Sequence, residues 1–251
     1  MELKTQWYKS IDRRTSRRTY MDKDLNLDHL NKISSLIEKI NKESSLNIQL
    51  IKDGEKPFKG IKKSYGMISG VKSFIALVGK EDIINVESKI GYFGEALVLE
   101  STSLGIGTCW LGGTYDKKEV ENTIDIKNNE KLYCVISIGY VKEAKGIKEK
   151  LLSSFSKNRK SSNEILRCNE KEVPNWVENG IEAVRKAPSA INKQPWKYEY
   201  SKGNIKAFID EQKHGYEKID LGISMLHFQL GAKNSGYVGN WEYINNINIF
   251  K

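Results

Sequence analysis

Four arginines crowd the segment Arg13-Arg14-Thr15-Ser16-Arg17-Arg18-Thr19-Tyr20. In an extended chain alternate side chains face the same way, so Arg14, Ser16 and Arg18 can converge on one anion, two guanidiniums and a hydroxyl donating to phosphate-type oxygens. On spacing alone a solvated basic turn remains the plain alternative. A second segment, Ala187-Pro188-Ser189-Ala190-Ile191-Asn192-Lys193-Gln194-Pro195-Trp196, has two prolines that restrict the backbone and small residues, Ser189 and Ala190, that let a flat ligand approach. Asn192 can donate to and accept from the edge of a heterocycle. An ordinary rigid loop between a helix and a strand, capped by a core tryptophan, is the alternative there.

A third segment, Gly105-Ile106-Gly107-Thr108-Cys109-Trp110-Leu111-Gly112-Gly113, is rich in glycine but lacks the G-x-G-x-x-G spacing, and its glycines follow a helix. That rejects a Rossmann dinucleotide site and a Walker loop. Gly112 and Gly113 permit close approach of a backbone amide to a ligand, against the alternative of a helix cap followed by a glycine turn. The fourth segment, Lys157-Asn158-Arg159-Lys160, either completes an anion site or is a charged linker.

The elements that must position these segments are legible in outline. Leu30, Ile33, Ile37 and Ile40 recur at helical spacing after Asn26 or Asp28, and Leu46–Leu50 alternates as a strand. Ser73–Val78 reads as a buried strand, 85–104 as a long central helix ended by Gly105, and Leu132–Ile138 as a strand buried on both faces. Pro174 suits the first turn of a helix running to Lys186, followed by strands at Trp196–Tyr200 and Ile205–Ile209 and a long helix from Glu217 to Gly236. Placing Gly105 over Gly236 also matches Gly91 with Gly222, Leu99 with Leu230 and Trp110 with Trp241. This predicts two related halves packed as an internal pseudo-dimer, residues 1–141 and 173–251, joined by a basic connector over 142–172.

Composition narrows the class. The chain has 251 residues, 39% hydrophobic and 29% charged with only 4 prolines, which excludes disorder and collagen-like repeats. Its longest apolar run, Phe74–Val78, is far too short to span a bilayer, and Met1–Trp7 has no signal-peptide stretch, so a cytoplasmic location away from membranes is expected. Cys109, Cys134 and Cys168 are odd in number and widely spaced, as expected of thiols in a reducing compartment, and His29, His214 and His227 show no metal-ligand spacing. The net charge is +9, with an excess of three over residues 1–24 and five over 142–171. A basic balance points to nucleic acid, anionic membrane or phosphate-bearing small ligands without choosing among them.

Taken together the four segments resemble the FMN-dependent nitroreductase family from about Ile11 to Trp241. The family's R-x-S-x-R followed by an aromatic matches Arg14, Ser16, Arg18 and Tyr20, and its A-P-S-x-x-N-x-Q-P-W matches Ala187, Pro188, Ser189, Asn192, Gln194, Pro195 and Trp196. Its G-x-G-x-C-W-x-G matches Gly105, Gly107, Cys109, Trp110 and Gly112, and its basic phosphate segment looks like Lys157–Lys160. The first half lacks A-P-S, reading Asn41–Leu46 in its place, and the second half lacks R-x-S-x-R. Such complementary losses resemble a fused, single-chain subgroup in which one of two pseudo-symmetric sites survives.

The resemblance implies an α+β nitroreductase-like fold of two related halves, with central antiparallel or mixed sheets flanked by helices. It implies one FMN per chain, its phosphate and ribityl chain held by Arg14, Ser16, Arg18 and Arg159, with Lys157 as a further candidate. Pro188, Ser189, Ala190 and Asn192 would line the isoalloxazine, and Leu111, Gly112 and Gly113 its reactive edge, with a contribution from the loop Ser64–Gly70. The implied activity is ping-pong hydride transfer from NAD(P)H through flavin N5 to a nitroaromatic, quinone or similar small-molecule acceptor, with no protein acid or base and no metal. Fused halves remove the usual need for a dimer, so a monomer is expected. A flavin protein of this fold without NAD(P)H turnover is a second reading. A basic nucleic-acid-binding protein is a third, opposed by the absence of a helix-turn-helix or RNP signature.

Overall fold

Val86–Ser103 and Glu217–Asn234 are helices of equal length, 18 residues each, and they set the plan of the molecule. The computed structural model describes residues 1–59, 67–144 and 158–251. Its backbone groups into two compact units that interleave along the sequence. One comprises Met1, Arg13–Val86 and Leu97–Phe155, the other Glu2–Asp12, Glu87–Ala96 and Ser156–Lys251.

After helix α1 (Thr5–Arg13), the first unit opens with helix α2 (Leu27–Ser44). The Asn26 side chain accepts from the His29 N–H, which satisfies one of the helix's leading amides. The stripe Leu30, Ile33, Ile37 and Ile40 is buried as its spacing predicts. The sheet runs in the order β1 (Gln49–Ile51), β2 (Ser73–Lys80), β4 (Glu130–Gly139), β3 (Gly107–Leu111), antiparallel throughout. Between β2 and β3 lies α3 (Val86–Ser103), and the short α4 (Lys117–Glu121) precedes β4. Strand β1 is shorter than the alternation over Leu46–Leu50 predicts. The Asn41 side-chain amide donates to Ile48 O and accepts from Ile48 N–H, both at 2.8 Å, which satisfies the Ile48 backbone from α2, while Asn47 N–H still bonds Val78 O of β2 at 2.9 Å.

In the second unit, α5 (Ser162–Ile165) and β5 (Leu166–Cys168) lie inside the stretch expected to be a connector. Helix α6 (Asn175–Arg185) follows, with Pro174 as its N-cap. Then come β6 (Trp196–Ser201), β7 (Asn204–Ile209), α7 (Glu217–Asn234), β8 (Trp241–Ile244) and β9 (Ile247–Phe250). The sheet order is β5-β6-β7-β9-β8, with β5 parallel to β6 and the other pairs antiparallel. Apart from the added β5, this is the first sheet's plan repeated. Its core is aromatic: Trp7, Trp196, Tyr198, Phe228 and Phe250 are fully buried, and Trp176 stacks on Tyr237 with centroids 4.0 Å apart.

The shift that carries Val86 to Glu217 also carries Ser103 to Asn234, Gly91 to Gly222 and Gly105 to Gly236. Both closing glycines take positive φ, 76° and 86°, where a side chain would be strained. A Cβ on Gly91 would stand 1.9 Å from Ile219 O, and one on Gly222 would stand 1.9 Å from Ser88 O. The same shift carries Ser88 to Ile219, so the two clashes are copies of one another. Residues 87–96 of α3 therefore cross α7 at a glycine pair that obeys the internal repeat. Near this crossing His227 bridges Glu95 Oε1, 2.9 Å from its Nε2, and Ala183 O, 3.1 Å from its Nδ1, with His227 and Glu95 both fully buried.

Candidate functional site

In the first unit the arginine segment is extended because it lies along strand neighbours. Ser16 bridges Thr108 of β3 in parallel register and Thr19 bridges Ser69. Arg17 N–H donates to Thr108 O at 2.8 Å, Ser69 N–H to Arg18 O at 2.9 Å, and Tyr20 N–H to Ser69 O at 3.0 Å. Burial is uneven along the segment. Arg17 and Tyr20 are buried, while Arg14, Ser16 and Arg18 are half-buried. The Arg17 guanidinium donates to Lys142 O at 2.6 Å, and the Tyr20 hydroxyl bonds Arg17 O at 2.8 Å and Ser137 Oγ at 2.7 Å. Tyr20 is thus an anchor for the segment, and Arg14, Ser16 and Arg18 are less buried than it.

Two glycines permit this threading. A Cβ at Gly107 would come within 2.5 Å of Val141 and 3.2 Å of Arg17 Cβ, and at Gly70, φ +72°, within 2.6 Å of Tyr20 O. Of the loop Ser64–Gly70, residues 67–70 are described, and Ser69 serves to hold the arginine segment. The glycine-rich stretch after α3 is a strand, β3, where a cap and turn was the alternative. Leu111 ends it with its side chain in the unit's hydrophobic core, while Gly112 and Gly113 follow as exposed backbone. A Cβ at Gly113 would meet nothing within 4 Å.

In the second unit the A-P-S segment is a tightly braced loop between α6 and β6. Ile191, Asn192 and Gln194 all have left-handed backbone, with φ of 43°, 57° and 49°. Pro188, Ser189, Ala190 and Asn192 are half-buried, and Gln194, Pro195 and Trp196 are buried. Arg159 Nη1 donates to Ala187 O at 2.7 Å and to Asn192 Oδ1 at 3.1 Å, and Asn192 Nδ2 donates to Asn158 O at 2.8 Å. Gln194 accepts from Lys160 N–H at 3.0 Å and donates to Asn158 O at 3.1 Å, and its own N–H reaches Ser189 Oγ at 2.9 Å. Arg159 and Asn192, singled out separately in the sequence, are therefore joined. Lys157 lies outside the described residues.

Two further residues shape this loop and carried no signal of their own. Asp220, in the first turn of α7, receives the Ala190 N–H on both carboxylate oxygens, at 3.0 and 3.1 Å. Burial pushes its carboxyl up to about 8, opposed by the Ala190 bond and reinforced by Glu217. An acid in a first helical turn reads as an ordinary partner of the helix dipole, so sequence gives no reason to single it out. Lys186 donates to Asp12 at 2.7 Å, an exposed pair that ties the residue two before Pro188 to the residue two before Arg14. The bond to Asp12 holds the Lys186 ammonium above its ordinary range.

Among the described residues no group of three or more His, Cys, Asp or Glu could hold a metal, and no helix is long and apolar enough to cross a membrane. The residues presented are cationic and hydroxylic donors in one segment and a rigid amide-rich loop in the other.

With that geometry established, the sequence matches the family model described as "Putative TM nitroreductase" over residues 6–232, and the chain belongs to this nitroreductase family. Among solved structures, a "putative nitroreductase" from Thermotoga maritima is similar with TM-score 0.68 and 20% identity, covering 97% of this chain and 92% of that one, and it bears out the fold of two sheets flanked by helices. An FMN-dependent nitroreductase from Clostridium difficile matches with TM-score 0.45 and 20% identity, over 54% of this chain and 88% of that one. A Bacteroides fragilis nitroreductase with bound FMN matches with TM-score 0.44 and 20% identity, over 56% of this chain and 91% of that one. No curated protein matches the sequence.

Proposed function

We propose that the chain is an FMN-dependent oxidoreductase of the nitroreductase type, using NAD(P)H to reduce a nitroaromatic, quinone or similar acceptor by alternating half-reactions. Family membership supports the general class, and the motifs support the flavin. The observation that carries the reading is the joining of two residues singled out separately in the sequence: Arg159 donates to Asn192 Oδ1 at 3.1 Å and to Ala187 O at 2.7 Å, which fixes a guanidinium on the A-P-S loop. A charged linker would have no reason to be fastened there.

The residues fit the group. Arg14 and Arg18 would pair with the phosphate through charge-assisted bonds and Ser16 would add a hydroxyl donor, and Arg159, fastened to the ring loop, is a further cationic candidate. Pro188, Ser189, Ala190 and Asn192 would cover the ring system, the small side chains at 189 and 190 allowing contact with its face. The backbone at Leu111, Gly112 and Gly113 would lie along the reactive edge, with no Cβ to keep a planar group away at the glycines. When bound, FMN supplies the hydride-accepting and hydride-donating centre that this chain's own side chains lack.

One flavin per chain, a monomeric chain of two halves over 1–141 and 173–251 with the connector between, and a cytoplasmic location belong to the same proposal. Titration of FMN into the purified chain, followed by anaerobic mixing with NADH and with NADPH, tests it. Saturable binding with bleaching of the flavin absorbance is expected. Flavin binding without bleaching would favour a specialised flavoprotein, and absence of both would remove the oxidoreductase reading.

A further inference from the structure

The loop after α6 holds a conformation that its residues would not choose. Three of the four positions from 191 to 194 are left-handed without being glycine, and one of them, Ile191, is β-branched and 76% exposed. A β-branched residue at φ 43° is strained, and an exposed side chain gains little from burial to offset that strain. The surroundings must impose the shape. On the connector side they do so through Asn158, Arg159 and Lys160, which engage Asn192 and Gln194.

On the helix side Asp220 acts. Asp220 is 3% exposed and bonds the Ala190 N–H with both carboxylate oxygens, immediately before the strained residue. We propose that Asp220 is a positioning residue, latching Ala190 to α7 so that the Ala187–Pro195 loop is held in the shape that receives the flavin ring. This rests on the FMN reading above, whereas the latch itself is a property of the flavin-free chain. The charged group acting on Asp220 is Glu217, one turn earlier on the same helix, whose own carboxylate accepts from the backbone of Lys213 and His214. From the loop, the group facing it is the Ala190 amide. With the carboxyl held at about 8, its ionisation falls in an accessible range, and an ionised acceptor holds an amide more tightly than a neutral one.

Amide hydrogen exchange of the flavin-free full chain, alongside FMN titration, decides the matter. Asp220→Ala should speed exchange in the peptide 187–195 by about tenfold, with peptides from β2 and β4 unchanged, and weaken FMN binding by a similar factor. Asp220→Asn, which keeps an acceptor oxygen, should hold both within about threefold of the parent. In the parent, protection of this peptide, corrected for intrinsic rates, should tighten between pH 7 and 9, and in Asp220→Asn it should not. Unchanged loop exchange in Asp220→Ala overturns the proposal, as does equal damage from both variants. Should Asp220→Ala fail to fold, the pH profile carries the test, and the same tightening in Asp220→Asn refutes the latch. A parent that binds no FMN would defeat the functional reading, while the exchange results would still decide the role of Asp220.

Discussion

Replacing either crossing glycine with alanine should be among the most damaging single-methyl additions this chain can receive. A Cβ at Gly91 or Gly222 would lie 1.9 Å from a backbone carbonyl oxygen of the facing helix, where real Cβ contacts under 3.0 Å essentially never occur. Backbone cannot rotate away as a side chain can, so α3 and α7 must separate locally by about 1 Å or more, loosening the packing on both sides of the crossing. Overpacking of this kind costs about 3 kcal/mol or more, against which the gain in helix propensity of about 1 kcal/mol is the smaller term. Urea unfolding of Gly91→Ala and Gly222→Ala should each show that loss as a lower midpoint with an unchanged slope. Because a single displacement of the helices relieves both clashes, the double variant should cost clearly less than the two singles together. Singles within about 0.5 kcal/mol of the parent, or strict additivity, would refute the argument that one repeat-related contact sets the approach of the helices.

The remaining predictions concern charge. Arg18→Ala should weaken FMN binding by about 1.5–3 kcal/mol, read by flavin fluorescence titration, and an unchanged dissociation constant counts against the phosphate assignment. Because burial raises the Asp220 carboxyl from 3.8 to about 8, the folded chain holds a proton that the unfolded chain releases, so this group's contribution to stability falls as pH rises from about 4 to 8 and then levels off. Between pH 5 and pH 8 that is on the order of 4 kcal/mol, and Asp220→Asn should remove it from the difference in unfolding free energy; an identical pH slope in parent and variant would contradict this. His227→Ala takes the imidazole from the fully buried Glu95 carboxyl and should cost about 3–5 kcal/mol in thermal or urea unfolding, whereas a loss under about 1 kcal/mol would show the pair to be incidental.

The parts of the fold legible in the sequence are those fixed by long periodic or continuous apolar patterns. Helices α2, α3 and α7 and strands β2 and β4 carry enough apolar residues that tertiary context could only confirm them, and Gly105 and Gly236 mark where the two long helices stop. Short elements were lost for a physical reason. Strand β3 begins at a glycine and ends before two more, a local composition that reads as a turn, and only pairing with β4 and the arginine segment makes it extended. The hairpin of β8 and β9 turns on Asn245 and Asn246, both at positive φ, an asparagine pair at a tight turn that could have announced it. At the site, the residue types of the arginine segment were readable but their burial was not: Tyr20 has the parity of Arg14, Ser16 and Arg18 and is buried by its bonds to Arg17 O and Ser137 Oγ. Where Arg159 sends its guanidinium was not readable, since Ala187 O and Asn192 Oδ1 are brought to it by the fold.

The internal repeat gives the uneven distribution of motifs a structural meaning. In the first unit the extended arginine segment lies against β3, bonded to Thr108, and the shift relating the two long helices carries Trp110 of β3 to Trp241 of β8. Two copies of one half would each have to supply both the arginine segment and the braced loop, because identical chains cannot divide labour. A chain that carries both halves in one polypeptide is released from that requirement. The first half can keep the edge segment while the turn after its α2 becomes Ser44-Ser45-Leu46, with Ser45 at φ 62° closing the helix and Asn41 clamping Ile48. The second half can keep the strained loop and surround it with supports, Arg159 and Asn158 ahead of α5 and Asp220 on α7. These supports stand outside the A-P-S residues themselves, so restoring A-P-S to residues 41–46 would not by itself recreate a second loop of this shape.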